Sequence, residues 1–231
     1  MQTYASPYTV AAQPVDARAT FIRKTYAHLG GAILAFALIE AIFLQIPAMQ
    51  NLASMMMGNW WIVLIAYMGV SFLASKWAAS STKLSTQYMG LGLFVVAEAV
   101  IFLPMLMIAT SYFPGIITQA AVVTLGLTAG ITMIAFMTKK DFSFLNGFLT
   151  IGGFVALGLI FASMIFGFQL GIIFAGAMAL FAGVAVLRDT SNIIHHYQTN
   201  QYVAASLGLF ASIALLFWYV LQILMSLAGR D

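Results

Sequence analysis

The stretch LFVVAEAVIFLPML, Leu93 to Leu106, decides the class of fold. Thirteen of its fourteen residues are uncharged and mostly bulky, and a single carboxylate, Glu98, lies in the middle. The apolar run continues in both directions, from Tyr88 to Ala109. A helix that crosses the hydrocarbon of a bilayer needs about 20 mostly apolar residues. The stretch therefore predicts a membrane-spanning helix that carries one acidic residue at mid-depth.

The composition extends this interpretation to the whole chain. Hydrophobic residues make up 63% of the sequence and charged residues 6%, and the mean hydropathy is +1.01. A soluble domain carries about 25% charged residues, so a soluble fold is excluded. The basic residues do not cluster with aromatic residues into a nucleic-acid-binding patch. The absence of cysteine excludes disulfides and thiolate metal sites, and the pattern predicts no cofactor.

Seven apolar runs are long enough to cross a bilayer, which predicts an all-α, polytopic membrane protein with seven transmembrane helices. A membrane β-barrel is disfavoured because its strands alternate apolar and polar residues. The predicted spans are Ala27–Pro47, Gly58–Ser75, Tyr88–Ala109, Ile116–Thr138, Phe148–Phe166, Leu170–Leu187 and Tyr202–Leu227.

Basic residues occur in alternate connections and orient the spans. Arg18, Arg23 and Lys24 precede the first span, and the second, fourth and sixth connections carry Lys76 and Lys83, Lys139 and Lys140, and Arg188. The first, third and fifth connections carry no charge. Since positive loops stay in the cytoplasm, we expect a cytoplasmic N-terminus, an external C-terminus and a location in the cell inner (plasma) membrane, with the lipid bilayer as the main partner.

Residues 1–20 are polar, small and proline-bearing, and we expect a mobile cytoplasmic tail ahead of a transmembrane domain at 21–231. The tail is not a secretory signal, because the first apolar run has the full length of a span and no cleavage site follows it.

Two carboxylates fall inside spans, Glu98 in the third and Glu40 in the first. A charged side chain at the bilayer centre costs about 2.5–3.5 kcal/mol on insertion scales. No Lys or Arg lies within a predicted span to pair with them, so we expect both acids to face the bundle interior, with Glu98 protonated much of the time. Each is either a protonated acid bonded to a neighbouring carbonyl or part of an ion or proton path.

The fourth span carries two patterns at steps of four residues. Thr124, Thr128 and Thr132 share one face, and either bond their own backbone carbonyls or form a polar stripe toward a cavity that also reaches Glu98. Gly126 and Gly130 form a small-residue pair of the kind that marks close helix contact.

A second informative stretch, LRDTSNIIHHYQTNQYVAASLGLFASIALLFWYVLQIL, runs from Leu187 to Leu224. It joins the sixth and seventh spans through a short polar connection. Asp189 lies at the membrane boundary, where it either caps a short helix or serves a function. His195 and His196 are adjacent, unlike the i, i+4 pair of a zinc site, and we expect a solvated loop without a metal.

These residues resemble the Bax inhibitor-1 (transmembrane Bax-inhibitor-motif) family. The resemblance rests on Asp189-Thr190, Ile193 and the aromatic final span, and on RKTYAHLGGAILAFALIEA at residues 23–41. TKKDFSFL at residues 138–145 and TSNIIH at residues 190–195 are similar to the bacterial branch that contains YccA, a modulator of the FtsH membrane protease. The family implies seven helices with the last helix central.

The calcium-leak branch of that family has two aspartates that share a proton and gate a pore with pH. Asp189 matches the first, but Ser212 stands at the position of the second, and Arg188 replaces the usual aromatic residue. Arg188 either pairs with Asp189 or extends to lipid phosphates, and the second alternative is favoured. We take Arg188, Ser212 and Lys76 as candidates for gating or an interface.

Two functions follow from the sequence. The first is a regulatory membrane protein that binds and modulates FtsH, favoured because the aspartate pair is incomplete. The alternative is a pH-sensitive leak channel for Ca²⁺ or H⁺ that uses Glu98, Glu40, Asp189 and the threonine stripe. An enzyme is disfavoured, since the chain lacks the Gly-x-Ser-x-Gly, His-Glu-x-x-His and P-loop motifs.

Overall fold

The computed structural model describes residues 9–80, 83–138 and 140–229. The first eight residues of the predicted tail, together with Lys139 and Arg230, lie outside them. The described chain is helical, with a short 3₁₀ turn at Val10–Ala12 followed by α1 (Val15–Phe43), α2 (Pro47–Gly58), α3 (Trp60–Ala78), α4 (Leu84–Tyr112), α5 (Ile116–Thr138), α6 (Leu145–Phe166), α7 (Gly171–His195) and α8 (Tyr202–Ala228).

Seven of these helices are long and apolar enough to cross a membrane, which confirms the predicted architecture. The helix that sequence analysis did not predict is α2, which begins with Pro47 at its first position and has 12 residues. At 1.5 Å per residue it is about 18 Å long, too short for a hydrocarbon core of about 30 Å. Its buried Ala53 and Met56 show that it packs on the bundle, where it contacts α4.

Two helices extend at least two turns beyond the predicted spans. Helix α1 begins at Val15, inside the segment expected to be a tail, and Val10 ahead of it is buried, with its N–H bonded to the carbonyl of Tyr197 at 2.8 Å. Helix α7 continues to His195 instead of ending at Leu187. Asp189 therefore lies inside a helix, and the interpretation of Asp189 as a helix cap is wrong.

Helix α8 lies at the centre of the bundle, as expected, and contacts α1, α3, α4, α5 and α7. Helix α4 is equally central, because it contacts α1, α2, α3, α5 and α8. Aromatic rings join the three core helices: Phe102 of α4 lies 5.2 Å from Phe36 of α1 and 5.0 Å from Trp218 of α8, both edge-on. Glu98 precedes Phe102 by one turn, so the core packing places its carboxylate inside.

One end of the bundle gathers the charged connections, and we call it the basic end. The starts of α1, α4 and α8 meet there, since His28 contacts both Tyr88 and Tyr202. The end of α7 and the connection between α5 and α6 meet there too, because the N–H of Phe142 donates to Ser191 at 2.9 Å. The basic residues in the described part of the chain lie at or near this end.

A close contact between the backbones of α3 and α4 occurs at Gly90, a glycine that the sequence analysis did not single out. A Cβ added at Gly126 or Gly130 would meet nothing within 4 Å, so the expectation of close packing at that pair is wrong. A Cβ at Gly90 of α4 would lie 2.4 Å from the backbone nitrogen of Ala78 and 2.5 Å from the carbonyl oxygen of Ala74, both on α3. The missing side chain lets these two backbones touch.

Substituting Gly90 with alanine is expected to lower the melting temperature of the purified protein strongly. Backbone atoms cannot move aside as a side-chain tip can, so α3 and α4 must separate, at a cost of about 1–3 kcal/mol. Gly92→Ala is the matched control, because its Cβ would meet open space on the same helix. Equal melting temperatures for the two variants in detergent would refute the contact.

Candidate functional site

A polar cluster surrounds Asp189 near the basic end. The Ser212 hydroxyl of α8 donates to Oδ2 of Asp189 at 2.5 Å, and Nη1 of Arg188 lies 2.8 Å from Oδ1. Asp189 and Ser212 are buried. The structure thus brings together three residues that the sequence had singled out. Ser212 occupies the place opposite Asp189, but it offers one hydroxyl instead of a second carboxylate.

Arg188 pairs with Asp189 although the sequence favoured an extension to lipid phosphates, so that preference is wrong. Neighbouring residues on a helix point about 100° apart, yet the long arginine side chain folds back to the carboxylate. Tyr197, in the connection after α7, is half-buried and lies close enough to this pair to feel both charges. Burial, with the negative charge of Asp189 adding to it and the charge of Arg188 opposing it, raises the pKa of Tyr197 to about 12. Tyr197 therefore remains a neutral phenol.

Three further hydroxyl groups converge at Thr190, the residue that follows Asp189. The hydroxyl of Tyr26 on α1 lies within interaction range of Thr132 on α5 and Thr190 on α7. No two of them are close and well enough aligned to form a hydrogen bond, and all three oxygen atoms are buried without a partner among the described residues. An unsatisfied buried polar group costs about 1–3 kcal/mol. The bundle therefore bears an unfavourable concentration of buried hydroxyl groups at this depth.

The threonine stripe continues inward from Thr132 along α5. The hydroxyls of Thr124, Thr128 and Thr132 are buried and have no hydrogen-bond partner among the described residues. The interpretation that these hydroxyls bond their own backbone carbonyls is therefore wrong. Thr124 and Thr132 are two turns apart, so the stripe extends about 12 Å along the bundle.

Glu98 lies deeper on α4 and has a donor that sequence analysis missed. The hydroxyl of Tyr67 on α3 donates to Oε1 of Glu98 at 2.6 Å. Ser71, one turn further along α3, lies within reach of Tyr67. Glu98 is buried, as expected from the sequence. The signal that would have revealed the donor is Tyr67 itself, since a tyrosine hydroxyl inside an apolar span needs a polar partner.

Glu40 is the most isolated acid. It is 4% exposed, and neither carboxylate oxygen has a hydrogen-bond partner in the described chain. It lies one turn before the end of α1, about 21 Å along the helix from Tyr26. The expected interior position is confirmed, but Glu40 and Glu98 are not hydrogen-bonded to each other.

Lys76, the remaining candidate, is exposed in the last turn of α3. Its role in gating or at an interface stays a prediction.

Together these groups occupy successive depths of the bundle. Asp189, Thr190 and Tyr26 lie near the basic end, the threonine stripe extends inward from them, and Glu98 and Glu40 lie further along α4 and α1. Among the residues that the structure describes, no group of three or more His, Asp or Glu side chains could hold a metal ion. The arrangement is a series of oxygen-bearing groups at separate depths.

The polar loops at the basic end are held by a second ion pair. Nε2 of His196 lies 3.0 Å from both carboxylate oxygens of Asp141. Partial burial would raise the pKa of Asp141, but the hydrogen bond and charge of His196 and the bonds from Ser143 lower it below its usual value. The contact between His196 and Asp141 thus joins two connections. The neighbouring His195 is the last residue of α7.

Asp141→Asn is expected to reduce thermal stability slightly at pH 6 and not at all in strong acid. A carboxyl whose folded pKa is lowered contributes stability above its unfolded pKa, near 4, and loses it as pH falls through the folded value. The pair is exposed, so the loss should stay below about 1 kcal/mol. Melting curves of both proteins between pH 3 and 7 test this, and a difference that grows toward acid would contradict it.

Comparison with known proteins gives a family. The model described as inhibitor of apoptosis-promoting Bax1 matches residues 18–229. The chain is 35% identical over 181 residues to an uncharacterized protein of Pseudomonas aeruginosa, covering 75% of this chain and 77% of that protein. It is 31% identical to Bax inhibitor 1 of Schizosaccharomyces pombe over 221 residues, covering 93% and 79%. Protein lifeguard 4 of Mus musculus is 25% identical over 222 residues, covering 93% and 88%.

Proposed function

Because the chain belongs to the Bax inhibitor-1 family, we propose that it is a multipass inner-membrane protein that conducts a small cation, Ca²⁺ or H⁺, through the interior of its bundle. The N-terminus and the basic end would face the cytoplasm, following the distribution of positive charge. The observation that carries the proposal is the set of buried oxygen atoms on α1, α5 and α7 that have no hydrogen-bond partner among the described residues.

The chemistry of these groups suits a cation. Carboxylates and hydroxyls offer oxygen ligands, which hard cations such as Ca²⁺ bind, and buried acids in membrane helices mark ion or proton paths. These oxygen-bearing groups are distributed along the bundle, from Thr190 near the basic end to Glu40 near the opposite end. Burying oxygen atoms that find no partner in the described part of the chain has a cost, which a purely structural bundle would avoid by using apolar residues.

The Arg188–Asp189–Ser212 group would act as the closed gate of this path. The guanidinium places a positive charge beside the Asp189 carboxylate, and a positive charge in a narrow passage repels cations. Opening would then require the side chain of Arg188 to leave Asp189, whose carboxylate could receive the cation. Such a gate would use a single carboxylate, whereas the gate of the calcium-leak branch uses two aspartates that share a proton.

Liposome flux tests the proposal. Purified protein is reconstituted, and Ca²⁺ and H⁺ entry are recorded between pH 5 and 8. We expect flux that falls sharply in Asp189→Asn and is unchanged in Asp16→Asn, which removes an exposed carboxylate from the first turn of α1. Absence of flux of either ion over the whole pH range would overturn the proposal.

A second candidate is the modulation of the FtsH protease through binding. A polar cavity of about 410 Å³ opens at the basic end, lined by Ser143, Asn146, Asn192, His196, Tyr197 and Gln201. This surface suits a soluble protein domain better than lipid. Co-purification of FtsH that survives Glu98→Gln but is lost on deleting residues 2–8 would support binding. Failure of FtsH to co-purify with the full chain would exclude it.

A further inference from the structure

A groove between α1 and α4 is separate from the polar interior. Its volume is about 480 Å³, and its walls are mostly small or aliphatic, including Gly31, Ala35 and Ile39 of α1 and Gly92 and Val95 of α4. Val96 on its rim is 43% exposed. Both helices are membrane spans, so the groove opens sideways toward lipid.

The end of the groove that lies at the basic end of the bundle is lined by polar side chains. Nδ1 of His28 lies 2.7 Å from the carbonyl oxygen of Lys24, and Nε2 lies 2.8 Å from the hydroxyl of Tyr88. The imidazole ring stacks on Tyr88 at 5.4 Å, and the amine of Lys24 lies 5.2 Å from the ring centre of Tyr202. The two hydrogen bonds of His28, to the Lys24 carbonyl and to the Tyr88 hydroxyl, fix these rings around the mouth of the groove.

The charge at this mouth has one sign. Arg23, Lys24 and Lys83 are exposed there, at the starts of α1 and α4. No carboxylate occurs at residues 17–39 or 83–97, which include every residue that lines the groove. An anionic group is therefore attracted to the mouth, and an uncharged or cationic one is not.

The length of the groove matches one leaflet. On α1 it extends from Ala27 to Ile39, about 18 Å at 1.5 Å per residue. Half of a hydrocarbon core is about 15 Å. We propose that the groove between α1 and α4 binds one anionic phospholipid, with an acyl chain along Gly31, Ala35 and Gly92 and the headgroup phosphate at Lys24, beside His28 and Tyr88.

Glycines make a matched test possible. A leucine at Gly31 fills the groove, and a leucine at Gly30 points elsewhere on the same turn, since Gly30 does not line the groove. Neither added Cβ meets an atom within 4 Å, so both variants should fold. Lys24→Gln removes the nearest charge from the mouth.

The test titrates dioleoyl phosphatidylglycerol or dioleoyl phosphatidylcholine into delipidated protein in detergent. Native mass spectrometry gives the affinity for the first bound lipid, and the melting temperature is measured in parallel, since a ligand that binds the folded state raises it. We expect the wild type to prefer phosphatidylglycerol, and Gly31→Leu to lose about tenfold or more in affinity for it while Gly30→Leu keeps it. Lys24→Gln should remove the preference. Equal affinity of Gly31→Leu and the wild type for phosphatidylglycerol, or no preference in the wild type, would overturn the proposal.

Discussion

Cation flux in liposomes is expected to fall about a hundredfold when Glu98 is replaced by glutamine. Glutamine keeps the shape of the side chain, and its carbonyl oxygen can still accept the hydrogen bond that Tyr67 donates at 2.6 Å. What is lost is the ionisable carboxyl group, which can release a proton or offer a negative charge to a passing cation. Losing one partner of a buried charge interaction costs about 2–5 kcal/mol, and 2.8 kcal/mol corresponds to about a hundredfold. The measurement is the initial rate of Ca²⁺ or H⁺ entry at matched protein density.

Tyr67→Phe is the control for this prediction. It removes the hydroxyl that donates to Glu98 but leaves the carboxylate in place, so flux should change only a few-fold. The melting temperature of Glu98→Gln should stay close to that of the wild type, whereas that of Tyr67→Phe should fall, because the buried Glu98 loses its donor at a cost of about 1–3 kcal/mol. Wild-type flux in Glu98→Gln would mean that ions do not pass this carboxylate.

Arg188→Gln is expected to destabilise the protein and to open the leak. The substitution leaves the buried Asp189 carboxylate with the Ser212 hydroxyl as its hydrogen-bond donor. Removing one partner of a buried ion pair costs about 3–5 kcal/mol. Because the Arg188 side chain is 29% exposed, solvent screening reduces this to about 2 kcal/mol. Unfolding in detergent measures the loss of stability, and liposome flux at pH 7 should rise.

The double variant Arg188→Gln/Asp189→Asn separates the ion pair from general packing. If the two side chains act through their 2.8 Å contact, removing both should cost less than the sum of the single losses. Its flux should be low, because the carboxylate is gone. If the losses of stability are additive, or if the flux of Arg188→Gln does not rise above that of the wild type, this pair does not gate the path.

The spans and their number were predictable because a bilayer requires long apolar runs, and α4 and α8 satisfy that requirement clearly. Helix α2 was not predictable in the same way. Its 12 residues are too short to give a membrane signal, and its position depends on packing against α4. Similarly, α7 continues past Leu187 because the polar residues Asp189 and Ser191 find partners on Ser212 and Phe142.

The acids themselves were predictable, but their partners were not. Glu98 and Glu40 had to face inward, since no lipid-facing position tolerates a carboxylate at low cost. Whether a hydroxyl on α3 would reach Glu98 depends on how α3 packs on α4, which the backbone contact at Gly90 sets. The pairing of Arg188 was missed because its sequence position, at the edge of a span, fits an extended side chain equally well.

Passage of a cation through the bundle requires water along the threonine stripe, and cysteine accessibility measures whether water reaches it. The chain has no cysteine, so single-cysteine variants need no further change. Thr128→Cys places a thiol inside the bundle, and Leu127→Cys places one at the same depth on the outer surface, where Leu127 is 46% exposed. A thiol ionises, and so reacts, where water reaches it. We expect a positively charged, membrane-impermeant methanethiosulfonate reagent to modify Thr128→Cys in liposomes and to leave Leu127→Cys unmodified. Failure to modify Thr128→Cys, with the protein folded, would contradict the account.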